Sequence, residues 1–326
     1  LFSCTKHFTE SLEILLDFVQ KPYFTPETVQ KEQGIIAQEI RMGDDDPDSK
    51  VFWNLLKAMY RNHPVRIDIA GTVESIAQID ADLLYRCYRT FYHPSNMVLC
   101  AAGNVNPDEV FALVDRMVPA QPAPAVERRF PAEPADVVQP RVTDTAPVAA
   151  PLFTIGFKES ADVRPTDAEC AATDVLLQVL ASDTSPLYRR LMAGGWINDS
   201  FSAEYFEGSG YAAVLFGGES RDPDYVAAEI VREADRLRRE GIDPESFECA
   251  RRALYGSAVS GFGSVSLLAN RMADAALSGR TFGAEPELLH AMTVQQVQDR
   301  LAVQLLPDRM AISVVNPLES TNQQEG

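Results

Sequence analysis

Apolar side chains recur at helical spacing in the first part of the chain: in FTESLEILLDFV, residues 8–19, Leu12, Leu15, Leu16 and Val19 share one face, which predicts a helix. Thr25, Pro26 and Glu27 then make a start signal: a capping hydroxyl, a proline at the first helical position and an acid at the positive end of the dipole. A second helix is predicted from there to about Met42, closed by Gly43. The turn DDDPD follows, where Asp46 is placed to cap and Pro47 to begin a third helix striped by Val51, Leu55, Leu56 and Met59. HPVRIDIAGTVESIAQI reads as a loop with a short helix, and residues 80–92 and 107–118 as two more helices. Between those two, NMVLCAAGNV (residues 96–105) is nearly continuous in apolar residues and bounded by turn residues, which predicts a buried strand.

From about residue 119 to 151 the composition turns to proline and alanine and the periodicity fades, so a linker is predicted, with an edge strand near residues 141–145. Beyond it LFTIGFK reads as a strand, TDAECAATDVLLQVLA as a helix, and SPLYRRLMAGG as a helix closed by glycines. SFSAEYF and GYAAVLFGGE predict a hairpin turning around residues 207–210. Three further helical stretches and a last strand, RMAISVVN, complete the pattern.

The two halves read as versions of one unit. FTPETVQKEQGIIAQE lies against IDPESFECARRALYGS, and HPSNMVLCAAGNV against LPDRMAISVVNP. In that overlay Glu32 faces Ala250 and Glu39 faces Ser257, so the two carboxylates occur in one copy only. The expected division is a first domain over 1–125, a Pro/Ala-rich linker over 126–142 and a second domain over 143–326.

Composition narrows the function. With 326 residues and 46% apolar content, the chain suits two compact domains. Its net charge of −18 opposes binding to nucleic acid or anionic lipid. Cys4, Cys87, Cys100, Cys170 and Cys249 show no CxxC pair and read as buried free thiols in a reducing compartment. No stretch approaches the roughly 18 apolar residues that span a bilayer. A soluble, cytoplasmic protein is expected.

The candidate chemistry sits on the second helix. Glu32, Ile35, Ile36 and Glu39 share one face about 10 Å long. A carboxylate on a buried face is costly unless paired or bound to a cation. Two readings stay open from the residues: solvated glutamates flanking isoleucines, or a face turned to a metal. At about 2 Å for a Zn–O bond, carboxylates two turns apart do not both ligate one ion, although one can bind while the other orients a neighbouring ligand. DDDPD lacks the spacing, glycine and closing glutamate of a calcium loop.

KEQGIIAQEI with the following DDP, HPVRIDIAGTVESI, FYHPSNMVLCAAGNV and SPLYRRL…SFSAEYFEGSGYA together resemble the pitrilysin/insulinase-like zinc metallopeptidases, the family of mitochondrial processing peptidase and paired bacterial processing proteases. The resemblance implies an α+β fold of two homologous units, each a mostly antiparallel sheet with packed helices, and a zinc endopeptidase that aligns peptides as an added strand. It implies that Glu39 is a zinc ligand and that Glu32 helps hold a ligating histidine. It also implies two histidines and a general base from an HxxEH motif. None of His7, His63, His93 or His290 belongs to one, so the motif is expected upstream of Leu1. The chain is then a fragment whose first unit lacks its leading strands, inactive alone and not itself holding the Zn2+ of the full-length protein. The family's substrate-facing arginine and tyrosine would fall at Leu191 and Asn198, so the second half reads as non-catalytic. A homo- or heterodimeric partner of the same fold is expected to complete the chamber. The alternative is a non-catalytic subunit that binds or assembles with an active partner.

Overall fold

The computed structural model describes residues 1–119, 125–159 and 164–318. The first series of elements is helical: α1 (Phe8–Gln20), α2 (Pro26–Asp45), α3 (Pro47–Met59), α4 (Val73–Ile76), α5 (Ala81–Phe91) and α6 (Pro107–Met117). Strands β1 (Arg141–Ala146) and β2 (Leu152–Lys158), helices α7 (Asp167–Ala181) and α8 (Pro186–Ala193), and hairpin strands β3 (Ser202–Gly208) and β4 (Tyr211–Glu219) follow. Helices α9 (Pro223–Glu240), α10 (Pro244–Gly261), α11 (Val265–Ser278), α12 (Glu285–Ala291) and α13 (Val294–Val303) lead to β5 (Met310–Pro317).

Where three helical stretches are predicted near the end, five form. Ser264 caps α11 by accepting the Leu267 N–H at 3.3 Å, and Gly279, in the left-handed region at φ 70°, ends it. Helix α2 runs past Gly43, since the break comes where Asp46 leaves helical backbone (φ −82°, ψ 117°) ahead of Pro47. Asp46 then accepts from the N–H and hydroxyl of Ser49, so the aspartate run is a helix restart.

Contacts divide the chain into two compact units that interleave along the sequence. One comprises Leu1–Ile40, Gly71–Arg129 and Ser257–Gly283; the other comprises Arg41–Ala70, Phe130–Gly256 and Ala284–Gly326. Helices α1, α2 and α3 run in the same order as α9, α10 and α11, and a 3-10 turn (Pro94–Asn96 and Pro307–Arg309) ends each series. Yet α3 belongs to the second unit and α11 to the first.

In the second unit five strands form one sheet in the order β1-β5-β2-β4-β3, antiparallel except for β1 beside β5. The mixed α+β class therefore holds, and β1 is the expected edge strand. Helix α3 covers one face, packing Leu55, Leu56, Met59 and Tyr60 on Ala213, Leu215 and Ala311. The alternate residues Phe153, Ile155 and Phe157 are also buried, and Phe157 meets Phe216 edge-on. With both faces covered, the central strands read as apolar runs.

In the first unit α1 packs on α6 through Leu12, Leu16 and Leu113, and α2 packs its Ala37 and Ile40 on Ile76. Tyr85 accepts the Phe24 N–H at 3.1 Å, and Tyr88 donates to the Val19 carbonyl. The predicted buried strand over residues 96–105 does not form. Its residues follow the 3-10 turn without helix or ladder, and Met97, Val98 and Leu99 are 37%, 44% and 41% exposed. The equivalent run after Pro307 becomes β5 because β1 and β2 flank it, whereas no described strand lies beside residues 96–105. The thiols also depart from expectation: Cys170 is buried, Cys100 intermediate, and Cys4, Cys87 and Cys249 are exposed, with no disulfide among them.

Candidate functional site

Helix α2 is started by Thr25, whose hydroxyl accepts the Thr28 N–H at 3.2 Å. Its rotation is set by what it buries. Val29, Ala37 and Ile40 turn inward, and the Gln33 amide donates to the carbonyls of Ile76 and Ile79 at 3.0 and 2.8 Å. Glu32, Ile35 and Glu39 consequently occupy the exposed side. The carboxylates are thus not on the buried face.

No histidine joins them. His7 pairs with Glu10 at 3.5 Å, His93 accepts the Ser95 N–H, and His290 ends α12 near Tyr255. Among the described residues no group of three or more His, Cys, Asp or Glu side chains could hold a metal ion. The residues of this chain therefore do not by themselves fit a zinc ion, and no hydrolytic step is assigned to them.

The densest polar chemistry lies in the second unit, where sequence reasoning placed none. Lys158, at the end of β2, meets Glu133 at 2.7 Å with both side chains sealed from solvent. The ammonium also donates to the carbonyls of Met59 and Asp136. Glu133 accepts the backbone N–H groups of Arg61, Asn62 and His63 at 2.8, 2.7 and 2.8 Å. Burial pushes the Glu133 carboxyl up, but Lys158 and those three N–H groups outweigh it and hold it at about 2.

His63, expected as loop material, is buried and part of the same anchor. Its Nδ1 accepts the Val65 N–H at 3.1 Å, so Nε2 carries the proton and donates to the Ser209 carbonyl at 3.0 Å. The ring stacks on Phe130 at 4.7 Å, which ties the proline-rich stretch to the hairpin turn.

A second buried network holds α7, β3 and α13 together. Arg300 meets Glu159 at 2.7 Å and donates to Thr173 and to the Tyr205 hydroxyl, which itself donates to Glu159 at 2.7 Å. The two positions where the family's arginine and tyrosine would fall are structural: Leu191 is buried, and Asn198 donates to Glu219 at 2.6 Å. Arg190 is held by Glu233 at 2.8 Å. Only the apolar run before Lys158 hinted that its ammonium would be buried.

Residues 2–73 match the family model described as insulinase (peptidase family M16), and residues 78–254 the model described as peptidase M16 inactive domain. The chain belongs to the M16 peptidase family. An uncharacterized zinc protease, YmfH, of Bacillus subtilis (strain 168) is 35% identical over 97% of this chain and 75% of its own length. An M16-like peptidase from Alicyclobacillus acidocaldarius superposes with a TM-score of 0.90 at 35% identity, covering 96% of this chain and 76% of that one. A protease from Helicobacter pylori shares the fold at a TM-score of 0.80 and 16% identity, over 95% and 76% of the two chains. Within this M16 chain, Glu32 and Glu39 fall in the insulinase match, and the sheet falls largely in the inactive-domain match. Among the described residues no helix is long and apolar enough to cross a membrane.

Proposed function

We propose that this M16 chain serves a zinc-dependent endopeptidase acting on peptides or unfolded polypeptides, and that Glu39 supplies one carboxylate to the zinc while Glu32 steadies a neighbouring histidine ligand. The observation that carries this reading is the exposed face of α2. Two carboxylates two turns apart stand free of the core within the insulinase match. The corresponding helix α10 has Ala250 and Ser257 at the overlaid positions. Carboxylates in one copy only are what specialised chemistry on that copy leaves.

The remaining donors and the base come from outside this chain, so the chain alone is inactive. As sequence repeats, as distinct from the interleaved compact units, the chain divides into 1–125, 126–142 and 143–326, and a subunit of the same fold closes over the peptide. A second reading is a non-catalytic subunit that assembles with an active one; the retention of both Glu32 and Glu39 counts against it.

Hydrolysis of a quenched fluorescent peptide library by the complete gene product decides between them. Activity abolished by a chelator and restored by zinc supports the first reading. A homogeneous product without activity in any metal supports the second.

A further inference from the structure

The chain passes from the first compact unit to the second between Arg129 and Phe130, and the second unit takes hold of it at once. The hold has two parts. Past the crossing, the Asn62 amide donates to the Ala132 carbonyl at 2.8 Å, and the Glu133 carboxylate accepts the backbone N–H groups of Arg61, Asn62 and His63 with Lys158 beside it. At the crossing itself, Phe130 stacks on the His63 ring at 4.7 Å. That residue is only 3% exposed. The ring also faces the hairpin turn: its Nε2 meets the Ser209 carbonyl at 3.0 Å, and a Cβ on Gly210, a residue with φ +85°, would lie 3.2 Å from the same atom.

The two parts answer differently to protons. Glu133 stays ionised down to about 2, so its bonds persist in mild acid. His63 is different, because its Nδ1 accepts the Val65 N–H at 3.1 Å. A second ring proton would occupy that lone pair and set two N–H groups against each other inside the packing. Among the groups around the ring, Glu133 of the proline-rich stretch favours the cation. Tyr60 of α3 and Tyr211 of β4, with ring centroids at 6.2 and 5.2 Å, stay neutral because burial pushes both hydroxyls up. Arg61 in the same loop is charged but exposed, and Lys158 is matched by Glu133. Burial outweighs Glu133 and the Ser209 carbonyl, so the packed ring takes up a proton less readily than a free one. The backbone N–H of His63 is held by Glu133, which lets the ring turn out while its own loop stays in place.

We propose that His63 is an acid-released catch on the crossing between the two units: when its ring gains a proton it leaves the packing, Phe130 and the Ser209–Gly210 turn come free, and the first fixed point of the tether moves from Phe130 to Ala132 and Glu133. The device depends on neither zinc nor peptide. Its size has a ceiling. A free imidazole titrates near 6.5, so lowering the pH from 7.5 to 5.5 multiplies the released population by at most about tenfold.

The test is cleavage of the whole chain by trypsin at the Arg129–Phe130 bond, followed by mass spectrometry of the fragments. When reclosing is fast, that rate tracks the released population. Division by the rate for a synthetic peptide of residues 125–137 removes the protease's own pH dependence. The corrected rate rises severalfold, and by no more than about tenfold, between pH 7.5 and 5.5. His63→Gln, whose amide does not titrate, removes the rise, and His93→Gln in the first unit leaves it. In the wild type, which needs no variant to fold, hydrogen exchange of the Val65 amide accelerates over the same range once corrected for intrinsic rate. Amides of β2 and β4 stay protected, because the release is local.

A corrected cleavage rate independent of pH would overturn the proposal, as would a rise that persists in His63→Gln. Acceleration of the β2 and β4 amides to the same extent as Val65 would also overturn it, since the opening would then be global.

Discussion

Lys158 and Glu133 meet at 2.7 Å with neither side chain open to solvent, and through them the proline-rich stretch is fastened to the sheet and to the loop after α3. Removing one member of such a pair strands the other charge in the interior. Glu133→Gln is expected to cost about 3–5 kcal/mol, and Lys158→Met in the same chain to recover a large part of it. A double-mutant cycle from urea unfolding measures the coupling. Near-additive losses would show that the pair does not act as a unit.

The same anchor sets an acid dependence. Glu133 is held at about 2, below its unfolded value, so its contribution is complete above about 4.5 and is lost as pH falls toward 2. His63 is lowered by burial, against the Ser209 carbonyl and Glu133, both of which favour the cation. A lowered histidine binds its proton more weakly when folded, so its contribution is full above about 6.5 and declines as pH falls below that. The urea midpoint should fall from pH 7 to pH 5.5, and His63→Phe should flatten that slope. An unchanged slope would remove His63 from the account.

Gly156 on β2 lies directly under Met59 and Leu55 of α3. A Cβ there would sit 2.3 Å from Met59 Sδ and 3.1 Å from Leu55 Cδ2. Gly156→Ala is expected to destabilise by about 1–3 kcal/mol through overpacking. The penalty should shrink in a Met59→Ala background, where the clash is gone. An equal penalty in both backgrounds would place the cost in the backbone instead.

Local grammar was legible in the sequence wherever it acts through neighbours in the chain. Asp46 and Pro47 start α3 as read, and Val51, Leu55, Leu56 and Met59 are its buried stripe. The hairpin and the repeat were legible for the same reason. Residues 96–105 were misread because an apolar run becomes a strand only when a neighbour supplies the ladder, which periodicity does not report. The anchor at His63, Glu133 and Lys158 was invisible because its members lie far apart in the chain and each looks ordinary alone. Glu32 and Glu39 were noticed by spacing, yet spacing left their exposure open; packing of Val29, Ala37 and Ile40 decided it.

The central claim is that Glu39 reaches zinc in the complete protein. Its most direct test is the zinc content of the purified gene product containing this chain, by elemental mass spectrometry, for wild type and Glu39→Gln. Exposure of Glu39 makes the variant fold normally, which circular dichroism verifies. The account predicts near-stoichiometric zinc in the wild type and little in the variant, since removing a direct ligand should cost more than the roughly 10–100-fold in affinity that loss of an outer-shell partner costs. Equal zinc in the two proteins would contradict it and return both glutamates to the solvated face of a structural helix.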